Sequence, residues 1–306
     1  MVGVNSCVIG VYMSENSVVD GAVTFQDFKF KDSLLKAIKE RGYVTPTEMQ
    51  MEAIPVLINE ETDLVGQAQT GTGKTAAFVL PLLHKISGEE KNVQALILTP
   101  TRELANQIVA EIEKFATYEQ VNCLSVYGGV PLDGQIRALK KGRVQIVVGT
   151  PGRVMDLIDR GVLKLAEVRY VVLDEADEML DMGFFDDVKS ILSEIDDGRK
   201  IWMFSATMPR PILDLIKEFL VNPVMINIKK KTATNENTTQ KYFVMKIENQ
   251  LEGLCRFIDS LDDYYAIIFC RTKIDAKQVT DGLIERGFAC DSLHGDLSQQ
   301  QRDMTM

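Results

Sequence analysis

The sequence predicts an α/β protein in which helices cover both faces of a parallel β-sheet. From about residue 32 onward, short apolar runs alternate with longer stretches in which apolar residues recur at helical spacing. Runs that are apolar along almost their whole length are typical of parallel strands buried on both faces. The first six strand candidates are Asp63–Gln67, Gln94–Thr99, Cys123–Tyr127, Val144–Gly149, Tyr170–Leu173 and Lys200–Phe204.

A polar segment without periodicity, residues 229–240, interrupts this alternation and predicts a linker rather than a surface loop, because the alternation restarts after it. The restart predicts three strands, at Tyr242–Lys246, Tyr265–Cys270 and Cys290–Leu293. It also predicts two helices, at Gln250–Leu261 and Thr272–Arg286. We therefore expect an N-terminal extension at 1–20, a first domain at 21–228, the linker, and a partial second domain at 241–306.

Composition narrows the class of protein. The net charge of −10 argues against bulk coating of nucleic acid but leaves room for a locally basic groove. Five cysteines without C-x-x-C spacing and only two histidines argue against a structural zinc site and fit a reducing compartment. No apolar run is long enough to cross a membrane, and the first residues lack a basic region typical of a signal peptide. We expect a cytoplasmic monomer.

A Gly-rich loop follows the first strand candidate and reads Ala68-Gln69-Thr70-Gly71-Thr72-Gly73-Lys74-Thr75. Glycines let backbone N–H groups converge on phosphate oxygens, and a helix N-terminus follows. Lys74 supplies a charge for the phosphates, and the Thr75 hydroxyl is a candidate Mg²⁺ ligand. The general pattern expects glycine where Ala68 stands, so a Gly-rich turn without function is the alternative for this loop taken alone.

The acidic tetrapeptide Asp174-Glu175-Ala176-Asp177 follows a later apolar strand. A solvated acidic turn is the alternative, but carboxylates directly after a buried strand are costly unless a cation or donor compensates them. Asp174 is the candidate partner of Mg²⁺, and Glu175 is the candidate that orients the attacking water. Together, the loop and the tetrapeptide predict an enzyme that hydrolyses a nucleoside triphosphate.

These motifs, with others in order, resemble the DEAD-box family of ATP-dependent RNA helicases in superfamily 2, from about Phe25 to the end of the chain. The resemblance implies ATP and Mg²⁺ as cofactors and RNA as partner. It also implies a RecA-like parallel sheet with helices on both faces, followed by a linker and an incomplete second RecA-like domain.

The segment from Gly42 to Gln50 is similar to the family's Q motif, with Phe25 seventeen residues before it. Gln50 would then recognise adenine through its amide, and Phe25 would stack on the base. From the residues alone, Gln50 would be a surface residue and Phe25 a core residue.

Other segments match the motifs that hold the RNA backbone in this family. Each follows a strand, where hydroxyl groups and helix N-termini can meet phosphates. Taken alone, the Thr-Pro-Gly-Arg segment would be only a turn before a helix. The implied RNA-binding residues are Pro100, Thr101, Arg102, Gly128, Gly129, Thr150, Gly152 and Arg153, with Arg271 and Thr272 in the second domain. The segment His294-Gly295-Asp296, with Gln299 and Arg302, matches a further family motif.

The segment Ser205-Ala206-Thr207 matches the motif that couples hydrolysis to unwinding, and we expect it to hydrogen-bond toward Asp177. A helix-capping role for Thr207 is the plain alternative.

The predicted activity is local RNA strand separation driven by ATP. Two later family motifs, including an arginine finger, would lie beyond Met306, so we expect nucleotide binding, weak or no RNA-stimulated hydrolysis, and no unwinding from this chain. A superfamily 2 DNA translocase and a non-catalytic ATP- and RNA-binding fragment are the alternatives.

Overall fold

The computed structural model describes residues 23–228, 241–261 and 264–305. The chain divides into two compact units, of which the larger spans Val18–Lys229 and the smaller contains Lys230–Met306. The predicted extension at 1–20 and the predicted linker at 229–240 lie outside the described residues. We therefore describe each unit by itself.

The larger unit is built on a β-sheet in which every strand pairing is parallel. The described residues form seven strands in the order β3-β4-β2-β5-β6-β1-β7. Their bounds are β1 Leu64–Gln67, β2 Ala95–Leu98, β3 Cys123–Val126, β4 Ile146–Gly149, β5 Tyr170–Asp174, β6 Lys200–Ser205 and β7 Val224–Asn227. All six strands predicted for this unit are present, within one or two residues at each end. The edge strand β7 was not predicted, because only Ile226 of its four residues is buried and the apolar run is short.

Helices cover both faces of this sheet, as predicted. Their bounds are α1 Asp32–Glu40, α2 Glu48–Asn59, α3 Lys74–Lys85, α4 Arg102–Phe115, α5 Leu132–Lys140, α6 Pro151–Asp159, α7 Ala176–Asp181, α8 Phe185–Ser193 and α9 Arg210–Phe219. Helices α1 to α4 pack against one face, where Trp202 and Phe204 of β6 point. Helices α5 to α9 pack against the other face with Ile201 and Met203, so alternate residues of one strand enter separate cores.

Parallel pairing brings the carboxyl ends of the strands to one edge of the sheet, where ligands of open α/β proteins bind. The loops after β1, β2, β4, β5 and β6 therefore all begin at this edge. Strand β6 lies between β1 and β5, with Ser205 beside Gln67 and Phe204 beside Asp174. The Gly-rich loop and the acidic tetrapeptide consequently sit on either side of the Ser205–Thr207 turn.

The smaller unit contains three helices in its described residues: α10 Gln250–Asp259, α11 Lys273–Glu285 and α12 Gln299–Thr305. Cys255, Ile258 and Leu283 form a small core between α10 and α11. The three strands predicted here were wrong, since Tyr242–Lys246, Tyr265–Cys270 and Cys290–Leu293 form no strands. A strand needs a hydrogen-bonded neighbour, and none pairs with these segments among the described residues. Across the described parts of both units, no helix is long and apolar enough to span a membrane.

Candidate active site

The loop Ala68–Thr75 joins β1 to α3 and depends on glycine at two points. Gly71 and Gly73 have φ angles of +79° and +81°, in the left-handed region that favours glycine. Gly73 is also crowded, because a Cβ atom there would lie 2.5 Å from Gln50 Nε2 and 2.8 Å from Thr47 Oγ1. The Thr72 hydroxyl donates to the Gln69 carbonyl at 2.7 Å and tightens the turn. At these two glycines the loop therefore has a left-handed backbone without a side chain, which is typical of a phosphate cradle.

Lys74, at the start of α3, is folded onto its own loop. Only 6% of its surface is exposed, and its Nζ donates to the Ala68 carbonyl at 3.0 Å. Its charge acts on both Asp174 and Glu175, and lowers the pKa of each relative to burial alone. Lys74 thus lies within electrostatic reach of the acidic tetrapeptide, as the paired motifs predicted.

Asp174 ends β5 and is almost completely buried, with 3% of its surface exposed. Burial raises the pKa of Asp174 to about 7, Lys74 opposes that rise, and the neighbouring Glu175 and Asp177 carboxylates add to it. Its Oδ1 accepts one hydrogen bond, from the Glu175 N–H at 3.1 Å. A buried carboxylate with so few donors favours a nearby cation beyond the one that Lys74 supplies.

Glu175 has an unusual backbone for a residue other than glycine, with φ +53° and ψ +52°. It stands at the N-cap position of α7, and this left-handed conformation costs about 1 kcal/mol or more for an L-residue with a Cβ. Burial raises the pKa of Glu175, while Lys74 lowers it. Strain at a residue between two other acidic side chains is typical of a functional site.

Asp177 binds the turn that follows β6. Its Oδ2 accepts from the Thr207 N–H and from the Thr207 hydroxyl, both at 2.8 Å, and its Oδ1 accepts from the Ala206 N–H at 3.4 Å. The Ser205 hydroxyl accepts from the Asp177 N–H at 3.3 Å and donates to the Thr207 carbonyl at 2.7 Å. The expected hydrogen bonds toward Asp177 are therefore present, and Thr207 does not cap a helix through its side chain. That the segment Ser205-Ala206-Thr207 couples hydrolysis to unwinding stays a prediction.

Gln50 contacts the phosphate loop in this structure. The buried Gln50 amide donates from Nε2 to the Gly73 carbonyl at 3.0 Å and accepts at Oε1 from the Thr47 N–H at 2.9 Å. Thr47 Oγ1 donates to the Thr72 carbonyl at 2.8 Å. Thr47 was missed as a loop contact, although the Thr-x-x-Gln spacing is the sequence signature of the capping box that these residues form. Adenine recognition by Gln50 stays a prediction. It requires that the second Nε2 hydrogen of Gln50 bonds to the base, or that the amide gives up one of its present hydrogen bonds.

Phe25 lies in an aromatic cluster, with only 2% of its surface exposed. Its ring packs edge to face against Phe28 and Tyr43, at centroid distances of 5.8 and 5.9 Å. Stacking of Phe25 on adenine stays a prediction, and it requires one face of the ring to become uncovered.

Thr101 and Thr150 each stand at a helix start. Thr101 caps α4 by accepting from the Leu104 N–H at 3.2 Å, and Thr150 precedes Pro151, the first residue of α6. The buried Pro100 links β2 to Thr101. These helix N-termini can both receive a phosphate group.

Arg102 lies beside the glycine pair after β3. A Cβ at Gly129, whose φ is +82°, would lie 3.6 Å from Arg102 Nη1, and the Arg102 Nε pairs with Glu103 at 2.8 Å. Gly128 has open space where a side chain would stand. The structure therefore brings the predicted residues after β2 and β3 together.

The Arg153 guanidinium forms hydrogen bonds with other groups of the protein. Its Nη1 donates to Gln135 Oε1 at 2.9 Å and its Nη2 to the Val130 carbonyl at 3.2 Å. Gln135, buried on α5, donates in turn to the Tyr127 carbonyl at 3.2 Å. These bonds hold the segment that contains Gly128 and Gly129. Gln135 was missed, since nothing in its local sequence distinguishes it. A direct RNA contact by Arg153 stays a prediction.

In the smaller unit, Thr272 caps α11 by accepting from the Asp275 N–H at 3.1 Å. Lys273 forms two bonds with Asp296, at 2.9 and 2.8 Å, which lower the pKa of that carboxyl. This pair joins the residue that follows Thr272 to the predicted segment His294-Gly295-Asp296. The RNA-binding roles of Arg271 and Thr272 stay predictions.

Comparison with known proteins shows the family to which this chain belongs. The family described as DEAD/DEAH box helicase matches residues 47–215. The chain is 43% identical over 281 residues to a probable ATP-dependent RNA helicase of Methanocaldococcus jannaschii, covering 92% of this chain and 74% of the relative. It is 47% identical over 281 residues to the RNA helicase CrhR of Synechocystis, covering 92% of this chain and 56% of the relative. It is 44% identical over 280 residues to the DEAD-box helicase CshA of Bacillus licheniformis, covering 57% of that relative. The chain thus spans little more than half the length of these two bacterial relatives.

Solved structures share the fold. The crystal structure of a DEAD box protein from Methanococcus jannaschii aligns with a TM-score of 0.66 at 40% identity, covering 92% of this chain and 75% of that one. A variant of Saccharomyces cerevisiae Dbp5, bound to a Gle1 variant and IP6, aligns with a TM-score of 0.73 at 28% identity, covering 93% and 72%. The expected RecA-like fold is confirmed. On the family match and these identities, the chain belongs to the DEAD/DEAH box helicases, among the DEAD-box ATP-dependent RNA helicases.

Proposed function

We propose that this chain binds ATP with Mg²⁺ at the loop Ala68–Thr75 and supplies the nucleotide-binding part of an enzyme that uses ATP hydrolysis to separate or remodel RNA. One observation carries the proposal. Buried Lys74 lies within electrostatic reach of buried Asp174, and the same acidic segment is hydrogen-bonded through Asp177 to the Ser205–Thr207 turn. The candidate phosphate loop thus lies next to the Ser205–Thr207 turn, which we propose responds to nucleotide binding.

The residues present fit a Mg²⁺ ion held partly by nucleotide. Among the described residues, no group of three His, Cys, Asp or Glu side chains could enclose a metal. Mg²⁺ in nucleotide sites is instead held by one or two protein oxygens, phosphates and water. Asp174 and Thr75 would supply the protein oxygens. The buried Asp174 carboxylate accepts a hydrogen bond from the Glu175 N–H, so a cation beside it would stabilise its charge. When bound, the ion would neutralise phosphate charge.

Each residue of the proposed ATP site has a distinct role. Lys74 would exchange the Ala68 carbonyl for phosphate oxygens, and the loop N–H groups around Gly71 and Gly73 would surround them. Glu175 would orient the attacking water and accept its proton, a role that its raised pKa favours. Gln50 and Phe25 would select adenine.

RNA would bind along the same sheet edge, at the helix starts marked by Thr101 and Thr150 and beside Gly128 and Gly129. Such contacts reach the backbone rather than base edges, so sequence preference should be low, and 2′-hydroxyl contacts would favour RNA over DNA. Opening one base-pair step costs about 1.4 kcal/mol by the average for DNA, so a few steps need only several kcal/mol. Single strands and short duplexes are the proposed substrates, and a cytoplasmic monomer is the proposed form.

The first experiment measures ATP turnover with and without single-stranded RNA, on this chain and on Glu175→Gln. RNA-stimulated turnover that the substitution abolishes supports an RNA-dependent ATPase. Equal stimulation by single-stranded DNA would favour a superfamily 2 DNA translocase. ATP binding that Lys74→Ala weakens, without turnover, would favour a non-catalytic ATP- and RNA-binding fragment. Absence of ATP binding would overturn the proposal.

A further inference from the structure

Gln67, the last residue of β1, connects two neighbouring segments through its side-chain amide. Its Nε2 donates to the Ala206 carbonyl at 3.3 Å, and its Oε1 accepts from Asn227 Nδ2 at 3.0 Å. Because a carbonyl oxygen can only accept, the contact with Ala206 sets the orientation of the Gln67 amide, and Asn227 must then present its NH₂ group. The three residues form one directed chain of hydrogen bonds.

The sheet register places these side chains in a row. Gln67 lies beside Ser205 of β6 on one side and beside Asn227 of β7 on the other. Side chains alternate along a strand, so Gln67 faces the same side of the sheet as Val65, two residues earlier. That side carries α7 and α9 and the core that contains Val65. Gln67 therefore lies on the α7 side of the sheet, where the chain also places Asp177.

The backbone next to Gln67 contacts the phosphate loop and the turn at the same time. The Ala68 N–H donates to the Ser205 carbonyl at 3.1 Å, while the Ala68 carbonyl accepts from Lys74 Nζ. The Ala206 N–H in turn reaches Asp177. Residues 67 and 68 are thus bonded to the lysine of the loop on one side and to the turn on the other.

We propose that Gln67 is a positioning residue that links the state of the phosphate loop to the Ser205–Thr207 turn, with Asn227 as its anchor. When Lys74 leaves the Ala68 carbonyl for a phosphate group, the Gln67–Ala68 segment loses one restraint. The change reaches Ala206 through the Gln67 amide, and Asp177 through the Ala206 N–H. Gln67 touches no nucleotide in this role. The inference rests on the proposed function, because the phosphate belongs to the bound nucleotide.

The test follows amide hydrogen exchange at Ala206 and Thr207 in the full chain, with and without Mg²⁺ and a non-hydrolysable ATP analogue. Wild-type protein should show a nucleotide-dependent change in exchange at these amides. Gln67→Glu keeps the acceptor for Asn227 but replaces the donor to Ala206 with an oxygen. Loss of one such bond should raise exchange in the empty protein about threefold to tenfold. The variant should also lose the nucleotide response at an analogue concentration that saturates the protein, because the introduced carboxylate can weaken binding of the anionic analogue without contacting it.

Asn227→Asp provides a second, exposed variant that removes the anchor's donor and adds one negative charge, and it should shift exchange in the same direction. Asn92→Asp is the matched control, since it makes the same charge change at an exposed position before β2 and should leave exchange at the turn unaltered. Analogue binding without any change at Ala206 and Thr207 in wild type would overturn the inference, as would wild-type responses in both variants. Failure of the analogue to bind would instead contradict the proposed function, and the inference would fall with it.

Discussion

Asp177 accepts two hydrogen bonds from the single residue Thr207, one from its backbone N–H and one from its hydroxyl, both at 2.8 Å. The two residues belong to different loops, thirty positions apart in the chain, and β6 brings them together. Burial alone would raise the pKa of Asp177, but hydrogen bonds from Thr207 and its neighbours hold that pKa below its ordinary value. The carboxylate is therefore kept charged by the turn it positions.

Thr207→Val should weaken this link without disturbing the nucleotide site. Valine keeps the branched shape but loses the hydroxyl donor, which costs about 1 kcal/mol for a partly exposed charged acceptor. We expect RNA-stimulated ATP turnover to fall several-fold while the KM for ATP stays nearly constant, because the Thr207 hydroxyl bonds to Asp177 and not to the phosphate loop. Thr207→Ser, which keeps the hydroxyl, should retain most of the stimulation. A matching fall in both variants would contradict a role for the hydroxyl.

The raised pKa of Asp174 predicts a definite dependence of stability on pH. In the unfolded chain this residue has its ordinary pKa of 3.8, whereas burial raises the pKa of Asp174 to about 7 in the folded protein. Between these values the folded state binds more protons than the unfolded state, so the contribution of Asp174 to stability falls as pH rises and is constant above the window. Without nucleotide, ionised Asp174 therefore destabilises the fold.

Asp174→Asn should accordingly be more stable than wild type at about pH 8, with the difference shrinking toward about pH 5. The gap is at most a few kcal/mol, since one pKa unit corresponds to about 1.4 kcal/mol. Urea unfolding of both proteins at the two pH values, without Mg²⁺ or nucleotide, measures it. A gap of equal size at both pH values would show that the asparagine acts through packing rather than through charge.

Gly73→Ala should both destabilise the protein and abolish nucleotide binding. The new Cβ would meet Gln50 Nε2 at 2.5 Å, and the residue would also be left-handed at φ +81°. Gly71→Ala is the matched control for stability, because its φ is +79° but no atom lies within 4 Å of the added Cβ. Backbone strain alone costs about 1 kcal/mol, so thermal unfolding should show a larger loss for Gly73→Ala by about 1 to 3 kcal/mol. Equal losses would mean that the contact with Gln50 yields freely.

What the sequence predicted well in this protein is local. The Gly-rich loop, the acidic tetrapeptide and the strands before them carry their signals in consecutive residues, and the structure places them at one sheet edge. The contacts that shape the site are not local: Thr47 with Thr72, Gln67 with Ala206, and Gln135 with Arg153. They depend on strand order, which one sequence does not reveal. The apolar runs after residue 241 show the converse, since within the described ranges 241–261 and 264–305 no segment pairs with them and they form no strand.

Arg153 and Gln135 supply the last prediction. Their bond at 2.9 Å, with the further bonds to Val130 and Tyr127, predicts that Arg153 shapes the Gly128–Gly129 segment for RNA. Arg153→Lys retains the charge but loses the two-pronged guanidinium, so it should weaken RNA affinity about threefold to tenfold and leave nucleotide affinity unchanged.

A double-mutant cycle with Gln135→Leu separates positioning from direct contact. If Arg153 acts through Gln135, the effects of the two substitutions on RNA affinity should overlap, with a coupling of about 1 kcal/mol. Fluorescence anisotropy with a labelled single-stranded RNA measures each affinity. A direct phosphate contact by Arg153 would instead give additive losses in the double-mutant cycle.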